Sequence, residues 1–152
     1  MNERLLYFED LTPGRVFEGG SELMDAERIK VFAREFDPQP FHTDEQAAKE
    51  SFFGELVASG WHTAAVTMRM MVEIMPIAGG SIGAGIDEFR WPRPCPAGET
   101  LSLRMTVLEA RPMRSKPGQG LVRTRVETLN TAGEPVQSMV CITVVPMREG
   151  GI

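Results

Sequence analysis

The sequence predicts one α+β domain in which a curved antiparallel sheet lies around a long central helix. The first half of the 152-residue chain repeats apolar residues at helical spacing, and the second half alternates them at strand spacing. No internal repeat is present. With 42% hydrophobic and 24% charged residues, the length suits one core better than two. We therefore expect a single domain over residues 1–152.

A short strand around residues 16–23 opens the predicted fold, and a first helix follows over residues 25–36. Asp25 is a plausible N-cap for this helix. Pro38 ends it, since a proline disfavours helical backbone at the preceding residue. One face of the helix is expected to be apolar, formed by Ile29, Phe32, Ala33 and Phe36.

A second, shorter helix is predicted by the spacing of Thr43 and Gln46, which is that of a capping box with Thr43 as the N-cap. We expect this helix to continue to about Glu50. His42 would then lie just outside the start of the helix.

The long helix is predicted to begin at Ser59 and Gly60, with the Ser59 hydroxyl as its cap, and to end at Pro76. We expect it to be mostly buried, with its methionines serving core or dimer packing. The apolar residues that repeat at helical spacing are Trp61, Ala64, Ala65, Met68, Val72 and Met75.

Four strands are predicted in the remainder and are expected to form an antiparallel meander. Residues 130–133 join the last two strands as a hairpin, and residues 112–120 form a longer basic loop. The strands cover approximately residues 82–91, 101–107, 122–128 and 136–144.

Basic residues are concentrated in one segment, although the whole chain has a net charge of -5. Residues 89–125 contain eight Arg or Lys and two Glu, which makes this segment +6. A phosphate-bearing small molecule fits this pattern better than nucleic acid, because the acidic remainder would repel a polyanion. The alternative is that these charges are simply the solvated face of the strands.

The sequence predicts a cytoplasmic protein without metal or membrane contact. The amino terminus has no secretory signal pattern, and no segment has the roughly 20 apolar residues of a membrane helix. Cys95 and Cys141 lack the spacing of a disulfide framework or zinc site. His62, at the third position of the long helix, is interpreted as structural.

The densest polar cluster is the loop from Asp37 to His42, in which Pro38 and Pro40 restrict the backbone. A carboxylate and an imidazole held in this way are suited to general acid–base chemistry. The alternative is that Asp37 caps a turn and His42 packs at a helix start. Asp44 is assigned to the dipole of the following helix.

Residues 37–44, which read Asp-Pro-Gln-Pro-Phe-His-x-Asp, resemble the signature of MaoC-like dehydratases and R-specific enoyl-CoA hydratases. The resemblance continues through residues 54–60, Gly-Glu-Leu-Val-Ala-Ser-Gly, and through segments 85–94 and 96–101. It covers nearly the whole chain. One departure is Gln39, which follows Pro38 where many R-specific hydratases resemble Asp-x-Asn-Pro-x-His.

The resemblance implies a hotdog fold, usually dimeric, with an acyl thioester bound near the subunit interface. It implies reversible hydration of a trans-2-enoyl thioester to an (R)-3-hydroxyacyl thioester carried by CoA or acyl carrier protein. Asp37 and His42 would activate the water, and the Gly60 N–H would bind the thioester oxygen. No cofactor is expected, because CoA enters as part of the substrate.

Further side chains are candidates for substrate binding. Phe41 and Trp61 could narrow the acyl pocket, and basic residues could bind the phosphates of a coenzyme. Two other functions remain open, namely an acyl-CoA thioesterase and a non-catalytic acyl-CoA binding protein. The full candidate set is Ser59, Phe41, Trp61, Gln39, Arg90, Arg93, Arg114 and Lys116.

Overall fold

The computed structural model describes residues 4–149 as a five-stranded antiparallel sheet with four helices, which confirms the predicted α+β class. A short 3-10 turn, Phe8–Asp10, precedes the first strand. The strands are β1 (Val16–Leu23), β2 (Ile82–Arg90), β3 (Thr100–Pro112), β4 (Gln119–Leu129) and β5 (Pro135–Pro146). The helices are α1 (Ala26–Phe36), α2 (Pro40–Thr43), α3 (Glu45–Lys49) and α4 (Gly60–Ile74).

The strand order is β1-β3-β4-β5-β2, so the predicted four-strand meander is wrong in one respect. Strands β3, β4 and β5 follow one another as antiparallel hairpins. Strand β2 pairs with β5 at the opposite edge from β1 and does not pair with β3. This crossover places the end of β2 beside the start of β5, where Arg90 pairs with Ser138.

Helix α1 starts as predicted, because the Asp25 carboxylate accepts a hydrogen bond from the Arg28 amide at 3.0 Å. Ile29 and Ala33 are fully buried, as the periodicity indicates. Phe36 is different, since 64% of its surface remains exposed. The helix therefore ends with an aromatic ring at the surface, directly before the Asp37 loop.

The predicted capping box at Thr43 is wrong. The N-cap of α3 is Asp44, whose carboxylate accepts from the Ala47 amide at 2.8 Å. Thr43 instead belongs to α2, a single turn that begins at Pro40, and its hydroxyl donates to the Gln39 carbonyl. His42 consequently lies inside this turn and not outside a helix start.

Helix α4 begins at Gly60 under the Ser59 cap, as predicted, but it faces the other way. The residues turned toward the sheet are His62, Thr63, Val66, Thr67, Met70 and Met71. Four residues of the predicted buried face are exposed, namely Trp61, Ala65, Met68 and Val72. The 3.6-residue period identifies an apolar stripe but not what covers it, because a stripe can face the core or another surface.

The core lies between α4 and the inward face of the sheet. Alternate residues of β3 and β4 point into it, as the strand alternation predicts. The basic loop after β3 is shorter than expected, since it spans only residues 113–118. Fully buried members of the core include Leu101, Leu103, Met105, Val107, Val122 and Val126.

Candidate active site

The loop between α1 and α2 brings Asp37 and His42 together. The Asp37 Oδ2 atom lies 3.4 Å from the His42 Nε2 atom. Two further groups donate to the same carboxylate: Ser59 Oγ to Oδ2 at 2.6 Å and Gln39 Nε2 to Oδ1 at 2.7 Å. Gln39 therefore holds the carboxylate from the loop side, and Ser59 holds it from the start of α4.

The hydrogen bond between His42 and Val57 determines which ring nitrogen carries the proton and which one presents its lone pair to Asp37. His42 is buried, and its Nδ1 atom is 2.6 Å from the Val57 carbonyl oxygen. A carbonyl can only accept, so Nδ1 carries the proton. In the neutral ring, Nε2 is then an acceptor pointing toward another acceptor, Asp37. Such a pair suits a donor with two hydrogens, such as water.

Asp37 is ionised at neutral pH. Burial alone would raise its pKa, but hydrogen bonds from Ser59 and Gln39 and the nearby His42 together bring the pKa below its ordinary value. The group is therefore an acceptor with a fixed orientation.

The start of α4 provides an amide without an acceptor. The amides of His62 and Thr63 donate to the Ser59 carbonyl, and the amide of Trp61 donates to Ser59 Oγ. Of the first four amides of α4, only that of Gly60 has no acceptor within residues 4–149. A free amide at a helix N-terminus stabilises negative charge beside it.

A cavity of about 390 Å³ is bordered by both His42 and Gly60. Asp37, Gln39 and Ser59 are not among its lining residues in the described chain, so Asp37 is related to the cavity through its contact with His42. The remaining lining is mainly apolar and comes from the 52–58 segment, α4, the 91–95 segment and β5. Phe41 and Trp61 are not among its lining residues in the described chain. Phe41 packs edge-on against the His42 ring, and Trp61 packs against Trp91 near the surface.

The four basic candidates are divided between the two ends of the sheet. Arg93 borders the cavity, where its guanidinium donates to the Pro135 carbonyl and lies 3.6 Å from Glu134. Arg90 ends β2 on the same side and donates to the Phe89 carbonyl.

Arg114 and Lys116 lie in the β3–β4 loop, which is at the far end of the strands. Thr128 pairs with Gln137 near the cavity, whereas Gln119 pairs with Pro146 beside this loop. Nine strand residues at about 3.3 Å each make this separation roughly 30 Å within one chain. The structure therefore does not group Arg114 and Lys116 with the cavity.

His62 occupies the third position of α4, as predicted, and takes no part in the Asp37 cluster. Its ring stacks on Phe32 with centroids 4.7 Å apart, and its Nδ1 atom has no hydrogen-bond partner within residues 4–149. Burial, followed by the positive charge of Arg28, lowers the pKa of His62, while Glu22 and Asp25 oppose this. His62 is therefore neutral at pH 7.

Sequence reasoning missed several residues that shape the cavity. Trp91, Thr63, Cys95 and Val136 all border it. Burial raises the pKa of the Cys95 thiol to about 12, so this cysteine is not a thiolate nucleophile at neutral pH. Trp91 directly precedes Pro92 after the end of β2 and lies in segment 85–94 of the family resemblance, but neither feature marks it as a cavity residue.

Comparison with known proteins identifies the family of the chain. The profile of the MaoC-like domain matches residues 11–130. The chain belongs to the MaoC-like domain family. The crystal structure of a MaoC-like dehydratase from Rhodospirillum rubrum is 48% identical in sequence and has a TM-score of 0.90, covering 95% of this chain and 99% of that one. By family, this MaoC-like protein is an enzyme of the hydratase and dehydratase kind.

Two further relatives of this MaoC-like chain are more distant. The Bacillus subtilis protein YdeM is 31% identical over 112 residues, which is 72% of this chain and 79% of YdeM. The R-hydratase PhaJ1 from Pseudomonas aeruginosa is 24% identical with a TM-score of 0.78, covering 95% of this chain and 88% of that one. The second likeness shows that the fold is shared, and the expected hotdog fold is confirmed.

Two further findings concern metal ions and membranes. Residues 4–149 contain no group of three or more His, Cys, Asp or Glu side chains placed to hold a metal ion. Within the same residues, every helix is too short or too polar to span a bilayer.

Proposed function

We propose that this enzyme reversibly hydrates a trans-2-enoyl thioester to an (R)-3-hydroxyacyl thioester. The observation that supports this most strongly is that His42 and Gly60 border one cavity, with the Asp37 carboxylate beside His42. The Gly60 amide has no acceptor within residues 4–149. Membership of the MaoC-like family and the 48% identity to the Rhodospirillum rubrum dehydratase support the same reaction type.

Asp37 and His42 together hold and activate the water. Each presents an acceptor to the other, Oδ2 and Nε2 at 3.4 Å, so one water can donate a hydrogen to each. In hydration, the water oxygen bonds to C3 of the enoyl thioester while one of its protons passes to this pair. The pair then supplies a proton to C2, which restores its original state.

Gly60 stabilises the charge that develops during the same step. As the oxygen bonds to C3, the electron pair of the double bond moves toward the thioester carbonyl oxygen, which becomes enolate-like. The Gly60 N–H is fixed at the start of α4 and has no other acceptor in the described chain, so it can donate to this oxygen without reorganisation. Protonation at C2 removes the negative charge from the thioester oxygen and completes the addition of water.

The acyl carrier is proposed to bind at the end of the sheet where the cavity lies. Arg90 and Arg93 lie on this side and are our candidates for contacts with the phosphates of a CoA thioester. The expected contacts of Arg114 and Lys116 with phosphate stay predictions. Phe41, which packs on the imidazole, is assigned to holding His42.

The proposal includes a homodimer formed through α4 and β2. Strand β2 is paired on one side only, and nearly all of its residues are exposed, including Ile82 and Ile86. An apolar groove of about 430 Å³ runs between α4 and β5, with Met68 and Val72 at its border. An exposed edge strand beside an apolar face favours pairing with a second copy.

The test compares turnover of a series of trans-2-enoyl-CoA esters by the wild type, Asp37→Asn and His42→Ala. Consumption of the substrate is followed by the ultraviolet absorbance of the conjugated thioester. Each variant is expected to lose about 10²–10⁴-fold in kcat, which is the usual contribution of a general acid or base. If both variants retain full turnover, the assignment of the pair is wrong.

Matched controls are present in the same chain. Asp44→Asn makes the same chemical change at a carboxylate that caps α3, and His62→Ala removes a histidine as buried as His42. Both controls are expected to keep kcat within a few-fold of the wild type when folded. Release of free thiol without loss of the double bond would instead favour the thioesterase, and tight binding without product would favour the non-catalytic binder.

A further inference from the structure

A chain of buried polar side chains connects the interior of the sheet to the rim of the cavity. Trp91 Nε1 donates to Gln137 Oε1 at 2.9 Å, and Gln137 Nε2 donates to Thr67 Oγ1 at 3.4 Å. The Thr67 hydroxyl is in turn 2.7 Å from the Thr128 hydroxyl. Gln137, Thr67 and Thr128 are all 0% exposed.

The indole defines the orientation of the Gln137 amide. An indole N–H can only donate, so the amide oxygen must face Trp91 and the NH₂ group must face Thr67. A buried polar group without a partner is costly, so this arrangement is the one that satisfies both ends of the amide. An aliphatic side chain at position 137 would leave the indole without an acceptor inside the protein.

Trp91 lies directly on Gly60. A Cβ atom added to Gly60 would come within 2.5 Å of Trp91 Cε2 and 2.7 Å of Cζ2, so the indole face touches the glycine backbone. Trp91 is otherwise at the surface, where it packs edge-on against Trp61 and Phe89. Its hydrogen bond to Gln137 is therefore its fixed attachment to the interior.

We propose that Gln137 is a positioning residue, which acts by holding the Trp91 indole against Gly60. This inference rests on the proposed function, in which the Gly60 amide binds the thioester oxygen. A fixed indole keeps water away from that amide and limits the orientations of the thioester. Charge develops on the oxygen mainly in the transition state, so loss of Gln137 acts more on kcat than on KM.

The central variant is Gln137→Met, which keeps the length and approximate volume of the side chain but removes both hydrogen bonds. We expect kcat to fall about tenfold, because a displaced indole would weaken the Gly60 hydrogen bond to the developing oxyanion by about the net contribution of one hydrogen bond, while KM changes little. Thermal unfolding of the variant establishes that it is folded.

A spectroscopic signature reports on Trp91 independently of turnover. In a Trp61→Phe background, Trp91 is the only tryptophan. Adding Gln137→Met should shift its emission to longer wavelength and increase its quenching by acrylamide, because the indole is no longer held against Gly60.

The matched control is Gln119→Met, at the other end of the same pair of strands. Gln119 also has a buried Oε1 atom, but this atom has no hydrogen-bond partner in the described chain and lies far from the cavity. This control should change neither the Trp91 emission nor kcat.

A second variant, Trp91→Phe, removes the same hydrogen bond by replacing its donor, which lies at the surface. It should lower kcat to a similar extent, and adding Gln137→Met to it should cost little more, because the two residues act through one bond. Unchanged emission and kcat in Gln137→Met, or independent losses in the double variant, would overturn the proposal. If the wild type converts no enoyl thioester, the proposed function fails, and the emission and quenching data alone then decide whether Gln137 holds Trp91.

Discussion

The two faces of α4 both mix polar and apolar residues, but they do so in different ways. Inward, the helix presents His62, Thr63 and Thr67 among its aliphatic residues, and its first turn is capped by the fully buried Ser59. Outward, it presents an apolar stripe of Trp61, Ala65, Met68 and Val72, with the charged Arg69 and Glu73 beside it. An ordinary surface helix has an apolar stripe on its inward face alone.

This difference indicates two separate tasks for one helix. The inward polar groups are engaged with the site and its support: Ser59 holds Asp37, and Thr67 holds Gln137. In the outward stripe, Trp61 packs against Phe89 and Trp91, whereas Met68 and Val72 are exposed at the border of the apolar groove. Strand β5 lines the same groove, and the exposed edge strand β2 pairs with β5. A second copy would bury this stripe.

The largest effect is expected from Val72→Lys on the outward face of α4, and the property it should change is the oligomeric state. Val72 is 60% exposed in the single chain, so the substitution should fold but prevent close contact with a second copy. Removing a valine from the interface costs roughly 1.5–3 kcal/mol, and two-fold symmetry applies this cost twice. Light scattering should give about twice the 16.8 kDa chain mass for the wild type and the single-chain mass for the variant.

The control for this prediction is Val31→Lys, because Val31 is 56% exposed and lies on α1. It should remain dimeric. A wild type that is monomeric at micromolar concentration, or a Val72→Lys variant that remains dimeric, would show that the stripe has another role.

A smaller effect is expected on the inward face, from Ser59→Ala. The substitution removes the 2.6 Å hydrogen bond to Asp37 and the cap on the Trp61 amide. A hydrogen bond to a charged group contributes about 1.5–3 kcal/mol, so kcat/KM should fall roughly 10- to 100-fold. Steady-state kinetics on the best enoyl thioester measure this.

Ser51→Ala is a close control for Ser59→Ala. The Ser51 hydroxyl also donates once, to the Ala48 carbonyl, and accepts once, from the Phe53 amide, but it does not contact Asp37. Its loss should leave kcat/KM nearly unchanged. Equal effects of the two substitutions would mean that Ser59 contributes only to folding.

The smallest expected effect is on the pH dependence of stability and involves His62. Its pKa is lowered in the folded protein, first by burial and then by Arg28, so the unfolded chain binds more protons as the pH falls. His62 therefore favours the folded state above its ordinary pKa of about 6.5, and this contribution is lost as the pH falls through the lower folded value.

Denaturant unfolding between pH 7 and pH 5 should show a smaller loss of stability in His62→Gln than in the wild type. Equal losses in the two proteins would show that other groups, such as the neighbouring Glu22, whose pKa is lowered mainly by its hydrogen bond from Arg69, determine the acid sensitivity.

The parts of the fold that depend on nearby residues could be predicted from the sequence. The Asp25 and Ser59 caps act within three residues, and the prolines of the Asp37 loop restrict their own backbone. The resemblance of residues 37–44 and 54–60 to MaoC-like enzymes then identified Asp37, His42 and Gly60 as candidates. In the structure, His42 and Gly60 border one cavity, and Asp37 contacts His42.

The parts that depend on distant residues could not be predicted. The place of β2 beside β5 depends on pairing between residues 48 to 62 positions apart, for which the alternation within each strand carries no information. The Trp91–Gln137 bond joins residues 46 positions apart. The orientation predicted for α4 is wrong, because helical periodicity locates an apolar stripe without showing whether the stripe faces the core.

A double-mutant cycle on Asp37 and His42 tests the central claim most directly, which is that both groups act on one water molecule. The kcat of Asp37→Asn, His42→Ala and the double variant are compared with that of the wild type on one enoyl thioester. If the two groups act as a unit, the double variant is about as slow as the slower single variant. A loss in the double variant equal to the product of the two single losses would contradict the account, because the residues would then act independently.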